Sequence, residues 1–338
     1  MQDRPADLDE LALRHALTGW GVDAAELAYV PVGFGDHHWS VADTTGRRWF
    51  VTVADLANKA HCGTTPPAAL RGLRAAMDTA AALEDPAGHD FVVAPVRDAN
   101  GETVRPLGTR YAVSVFPFAD GTAGDFGDVL PPADRERVID LLADLHRRTP
   151  PTATPLHEPR LPTRDELERA LAQPDRPWRG GPFAEPTRRL LAENAAGLHR
   201  SLKEFDALIA EVHGRRPRLV VTHGEPHPGN LLRAGERFRL LDWDTVGLAP
   251  PERDLWLAAT GPADLDRYAD ASGHRPDPAA LALYRLRWAL DDLATFVEWF
   301  RAPHERTPDT EVAWSGCTET VRRLVAGATT GMGPLHNG

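Results

Sequence analysis

His223-Gly224-Glu225-Pro226-His227-Pro228-Gly229-Asn230, followed twelve residues later by Asp242-Trp243-Asp244, is the stretch from which the rest of the chain is best read. Each piece follows a short apolar run, 218–221 before the first and 238–241 before the second, so both read as loops leaving strands. The first loop offers an acid and an amide five residues apart, and a hairpin brings a second acid beside them. Two hard oxygen ligands of this kind, Asn230 and Asp242, can hold magnesium while phosphates and waters complete its octahedron. The remaining acid, Glu225, can orient an attacking hydroxyl or receive its proton. Zinc is a poor fit. His223 and His227 have helical spacing, but Gly224, Pro226, Pro228 and Gly229 preclude the helix it needs.

Upstream, residues 7–19 place Leu8, Leu11, Leu13, Ala16 and Leu17 at helical spacing. Strand-like segments follow at 29–32, 38–41 and 49–53, joined by Gly33-Phe34-Gly35 and by Thr44-Thr45-Gly46. A helix opening on Pro66 and Pro67 then runs through Leu70, Leu73, Met77 and Ala80. Two more strands are expected at 91–96 and 111–116. Strand-strand-strand-helix-strand-strand is the order of a kinase N-lobe. Pro117-Phe118-Ala119-Asp120-Gly121 breaks the pattern, and amphipathic helices dominate beyond it, at 135–148, 189–212 and 283–300. The expected architecture is α+β: a two-lobed protein-kinase-like fold. Residues 1–116 form an N-lobe of antiparallel sheet plus helix, 117–121 the linker, and 122–338 a mostly helical C-lobe.

The segment 223–244 resembles the catalytic and metal-binding loops of the aminoglycoside phosphotransferase and choline kinase family, most of all spectinomycin-type antibiotic phosphotransferases. Leu248-Ala249-Pro250-Pro251-Glu252-Arg253-Asp254-Leu255 resembles the family's next segment. The resemblance is tight over 218–256 and looser in the N-lobe and C-terminal helix. It implies magnesium on Asn230 and Asp242, Glu225 in the catalytic position, and His223 and Asp244 as structural support. It implies ATP or GTP as phosphate donor, in a cleft near Phe116 and Phe118. Gly33, Phe34 and Gly35 would cover the phosphates with close backbone amides. Asp254, Trp288, Asp291 and Asp292 would meet a small, cationic, hydroxylated acceptor.

Two positions depart from the family pattern. Glu225 stands where an aspartate is usual, adding one methylene, about 1.5 Å of stem. Thr52 stands where the third strand normally carries a phosphate-holding lysine, and the helix at 67–83 lacks the partner glutamate, its one acid being Asp78. Only Lys59 and Lys203 supply lysine anywhere, so Lys59, seven residues on, is the candidate replacement cation. His37 and His38 are read as surface residues.

Composition bounds the partners. The 338 residues carry 38 Lys plus Arg against 49 Asp plus Glu, a net charge of −11. That balance argues against nucleic acid and suits a cationic small molecule. No apolar run approaches the roughly 20 residues of a membrane helix. The two cysteines, Cys62 and Cys317, make no metal-spaced pair, and a cytoplasmic setting is expected. The expectation is a magnesium-dependent O-phosphotransferase acting on a cationic antibiotic or similar aminocyclitol or amino sugar. Alternatives are a choline or amino-sugar kinase, and a kinase-fold protein that binds nucleotide without transfer.

Overall fold

The computed structural model describes residues 1–33, 35–84 and 91–327. Phe34, a candidate for phosphate contact, lies outside the described residues. Contacts divide the described residues into two compact units, Met1–His157 with Leu219–Arg275, and Glu158–Arg218 with 276–327.

The first unit opens with α1 (Glu10–Leu17), capped by the Asp9 side chain. Then come β1 (Ala24–Val30), β2 (Asp36–Asp43), β3 (Arg48–Asp55), α2 (Pro66–Leu83), β4 (Arg105–Leu107) and β5 (Tyr111–Pro117). The five strands form one antiparallel sheet in the order β1-β2-β3-β5-β4. Alternation decides its faces. Trp39, Val41, Val51, Val53, Val113 and Val115 pack with Leu13 and Leu17 of α1, burying one side. His38, Phe50, Thr52, Ser114 and Phe116 alternate with them and share the opposite face. α2 begins where Thr65 caps Ala68 N–H, and buries Ala69, Leu73, Ala76, Met77 and Ala80.

One expected strand is corrected. The run 91–96 does not join the sheet; it lies extended, bridged to β9 (Arg237–Leu240) at Val92↔Leu240, with Val96 N–H reaching Val115 C=O. Pro95 has no N–H for a ladder. Its expected place in the sheet is taken by β4. His37 and His38 are not surface residues: His37 is 9% exposed beside Tyr29 and Tyr111, and His38 stacks on Phe50 at 5.2 Å.

After β6 (Thr122–Ala123) and α3 (Pro132–Arg147), the chain returns to this unit with β7 (Val220–Thr222), β8 (Leu231–Ala234), β9 and β10 (Gly247–Ala249), then α6 (Glu252–Ala258) and α7 (Pro262–Ser272). β7 pairs with β10, and the β8–β9 hairpin pairs with β6, all antiparallel. The second unit holds α4 (Arg164–Ala172), α5 (Ala184–Gly214), α8 (Pro278–Arg301) and α9 (Pro308–Ala326). Its core joins Leu191, Leu198, Leu202 and Phe205 of α5 to Leu283, Leu290, Val297 and Phe300 of α8 and Cys317 and Val321 of α9. Among the described residues, no helix is long and apolar enough to cross a membrane.

Candidate active site

β7 ends at Thr222 and delivers His223 into a loop with little freedom. His223 is fully buried, accepts Glu225 N–H on Nδ1 at 3.2 Å and donates from Nε2 to Leu241 C=O at 2.7 Å. It also meets the Trp243 ring edge-on at 4.8 Å. Burial, the larger influence, lowers its basicity, so the neutral ring is the bracing form. Gly224 has φ +101, and a Cβ there would stand 2.3 Å from the Arg253 guanidinium. Arg253 donates to Thr222 Oγ1 and Thr245 C=O, at 2.8 and 2.7 Å.

Asp254 closes the scaffold. Its oxygens accept His223 N–H at 2.8 Å and Gly224 N–H at 2.6 Å, and His146 Nε2 lies 3.0 Å away. The side chain is 0% exposed. Burial works to raise its carboxyl, but the His146 hydrogen bond and nearby positive charge outweigh it and hold the group low. A carboxylate so enclosed has no oxygen to offer a substrate. Asp254 braces the loop, which corrects its expected role.

The β8–β9 hairpin makes the decisive juxtaposition. Leu241 N–H donates to Asn230 C=O at 2.9 Å, so the amide-bearing and acid-bearing turns run side by side. Asn230 turns its Nδ2 inward, 3.0 Å from Glu225 C=O and 3.2 Å from His227 Nε2. Asp242 follows with φ 57, in the left-handed region that non-glycine residues seldom hold without tertiary reason. The next residue, Trp243, is fully buried, with Nε1 on Leu240 C=O at 3.0 Å, anchoring that turn.

Around this loop the charges are crowded. One carboxylate oxygen from each of Asp36, Asp242 and Asp244 lies within 4.8 Å of the other two. Enclosure by the protein and then the charge of Asp244 push the Asp242 carboxyl up; since Asp242 still faces solvent, the like-charge part is what a cation would relieve. Lys59 Nζ sits 2.5 Å from Asp244 and 2.9 Å from Asp36. His61 Nε2 is 3.1 Å from Asp244. Burial opposes it, but these cations hold Asp244 ionised, below the usual carboxylate range. Glu225 is half-buried, and burial followed by the charge of Asp244 raises its carboxyl. A solvent-facing acid, a fixed amide and adjacent carboxylates make a hard-oxygen donor set that fits a divalent cation.

The other candidates fall in three places. Thr52 holds His38 Nδ1 at 3.2 Å on the sheet face that also bears Phe116. Phe118 lies under the Arg48 guanidinium, and Gly33 and Gly35 have φ of +69 and +109 before β2. Trp288, Asp291 and Asp292 lie on α8 in the second unit, with Asp291 paired to Arg287 at 3.1 Å. Asp36, His61, His146 and Arg253 entered no sequence-based expectation. An acid directly after Gly33-Phe34-Gly35 was the one available signal for Asp36.

The family described as "Phosphotransferase enzyme family" matches residues 26–284. Protein StrN of Streptomyces griseus is 30% identical over 248 residues, covering 68% of this chain and 72% of StrN. A spectinomycin phosphotransferase, solved with ADP and spectinomycin, superposes with TM-score 0.67 at 14% identity, over 96% of this chain and 99% of that one. A microcompartment-associated aminopropanol kinase follows at TM-score 0.57 and 19% identity, over 95% and 98%. The chain has the two-lobed kinase-like fold, belongs to the phosphotransferase enzyme family, and is a phosphotransferase.

Proposed function

We propose that this phosphotransferase moves the γ-phosphate of ATP or GTP to a hydroxyl of a small cationic molecule, with an aminocyclitol or amino-sugar antibiotic as favoured acceptor. The observation that carries the reading is the Leu241–Asn230 backbone bond, which makes neighbours of an amide and the Asp242 carboxylate within reach of Glu225's loop. In this reading Asn230 and Asp242 hold magnesium; bound there, the ion offsets charge on the donor phosphates. Glu225 accepts the hydrogen bond of the acceptor hydroxyl, keeps that oxygen aimed at the γ-phosphorus, and takes its proton as the new O–P bond forms and the bond to the β–γ bridging oxygen breaks, releasing nucleoside diphosphate. A carboxyl raised by burial is the better base for that step.

The donor is assigned to the sheet face of Thr52 and Phe116, with Phe118 beyond it and the Gly33 and Gly35 backbone toward the phosphates. Lys59 supplies the positive charge that Thr52 lacks. The acceptor is assigned ammonium groups. The acidic balance of the chain favours such an acceptor. Spectinomycin is bound by one structural neighbour, and aminopropanol is named for another, so both antibiotics and amino alcohols belong in a trial.

One observation favours a second reading, nucleotide binding without transfer: Lys59 is committed to two carboxylates rather than free for phosphate. A coupled nucleoside-diphosphate release assay over cationic antibiotics and amino alcohols separates the two. Release lost in both Glu225→Gln and Asp242→Asn supports transfer. A nucleotide-dependent thermal shift with no release across the whole panel gives the chain to the second reading.

A further inference from the structure

β2 starts at Asp36, directly after the glycine connection, and its first side chain reaches the acids of the metal loop. Asp36 is 6% exposed. Its Oδ2 meets Lys59, while its Oδ1 is buried with no hydrogen-bond partner. A buried carboxylate oxygen left without a donor is costly, and the cost persists where a ligand repays it. A cation can be that partner. Asp36, Asp242 and Asp244 bring three carboxylates together; the ammonium of Lys59 is divided between Asp36 and Asp244, and His61 meets Asp244 as well.

The spacing suits a cation once the oxygens close on it. Oxygens on opposite sides of magnesium, with bonds of about 2.1 Å, stand about 4.2 Å apart. A calcium-sized ion, with bonds of about 2.3–2.6 Å, spans about 4.6–5.2 Å. Three ligands cannot all lie opposite one another, and neighbouring oxygens stand about 3.0 Å apart on magnesium and about 3.3–3.7 Å on a calcium-sized ion; three oxygens within 4.8 Å of one another share either ion after drawing in by up to roughly 1–2 Å.

We propose that Asp36 is a third carboxylate ligand, forming with Asp242 and Asp244 a divalent-cation site that ties the start of β2 to the metal loop without any nucleotide. The inference rests on the reading of Asp242 as a metal ligand and adds a cation position beside the Asn230–Asp242 pair. Lys59 stays on Asp244 Oδ2 and Asp36 Oδ2, leaving Asp36 Oδ1, the other oxygen of Asp244 and Asp242 to the ion. Binding there joins two segments separated by some 200 residues of chain.

The test uses the full chain and terbium, a calcium-sized probe excited through Trp243, which lies between two of the ligands. Wild type should give sensitised emission without nucleotide, displaced by calcium or magnesium. Asp36→Asn should weaken terbium binding at least tenfold, and decay rates in H₂O and D₂O should count about one more water on the ion. Asp36→Ser, which leaves no buried amide to satisfy, carries the same expectation should the first variant fold poorly. Unchanged affinity and water count in a folded Asp36 variant overturn the proposal. If Asp242→Asn still abolishes the signal, the catalytic reading stands and only Asp36 is removed; if it too changes nothing, both fall.

Discussion

Lys59 and Asp244 stand 185 positions apart in the chain, and their charged atoms stand 2.5 Å apart in the fold. Both side chains are 7% exposed. The third strand carries Thr52 and no lysine, and Lys59, in the turn after it, has Asp244 and Asp36 for partners rather than a glutamate on α2. Asp78, the one acid of α2, is instead paired with Arg97 at 2.8 Å.

Removing that ammonium leaves buried Asp36 without its counter-charge and Asp244 with His61 alone. Lys59→Met keeps most of the apolar stem and should cost about 3–5 kcal/mol of stability, the usual penalty for breaking a buried pair. Denaturant melts measure it. Among molecules that still fold at low temperature, the apparent KM for nucleotide should rise, and an unchanged KM would remove Lys59 from the donor site. Magnesium should recover more of the lost stability in this variant than it adds to wild type, because a divalent cation can answer the charge that Lys59 no longer meets.

Glu225 offers a sharper test of the chemistry. Glu225→Gln keeps shape and hydrogen bonding but cannot accept a proton, so kcat should fall by about 10²–10⁴-fold. KM for nucleotide should hold. Glu225→Asp draws the carboxylate back by about 1.5 Å, and a misplacement of about 1 Å can cost about 100-fold. If the loop is built for the longer acid, aspartate will be the poorer residue here. An aspartate variant as fast as wild type would mean that the position tolerates either length.

Much of the fold was legible because its signals are local. The 3.6-residue stripe from Leu283 to Phe300 needs no partner to be recognised, nor does the alternation through Trp49, Val51 and Val53. The run 91–96 misled because β-branched residues favour a strand wherever neighbours exist, and its bridge partner is Leu240 of β9 rather than a strand of the five-stranded sheet. α9 carries a readable start, the reciprocal Thr307–Thr310 capping box, next to a proline-rich loop that masks it. At the candidate site, Glu225, Asn230 and Asp242 could be singled out because loop spacing and the family resemblance point to the same residues. Asp36 and the bracing role of Asp254 were not, since each depends on a residue far along the chain.

Asp254 ties stability to pH. Its folded carboxyl sits below the ordinary value of about 3.9, so the stability it contributes is fully present above that value and disappears as pH falls through the folded one. Asp254→Asn cannot ionise. The variant should be less stable than wild type by about 1.5–3 kcal/mol near neutral pH, the usual worth of hydrogen bonds to a buried charge. The gap should narrow below about pH 4. Urea melts at pH 7 and pH 3.5 make the comparison. A gap that stays constant would mean that Asp254 titrates alike in folded and unfolded chains.

Gly224 separates backbone demands from charge. Any side chain there must hold φ +101 and place a Cβ 2.3 Å from Arg253 Nη2. Strain at such a φ costs about 1–3 kcal/mol before the clash is counted. The clash pushes on the guanidinium that ties Thr222 to Thr245, so Gly224→Ala should loosen the loop presenting Glu225 as well as destabilise the fold. The expected signature is a lower melting temperature together with a kcat loss that cooling does not repair, because the displaced loop belongs to the folded molecule. If activity returns fully at temperatures where the variant is folded, the left-handed turn serves stability alone, and Glu225 is positioned from elsewhere.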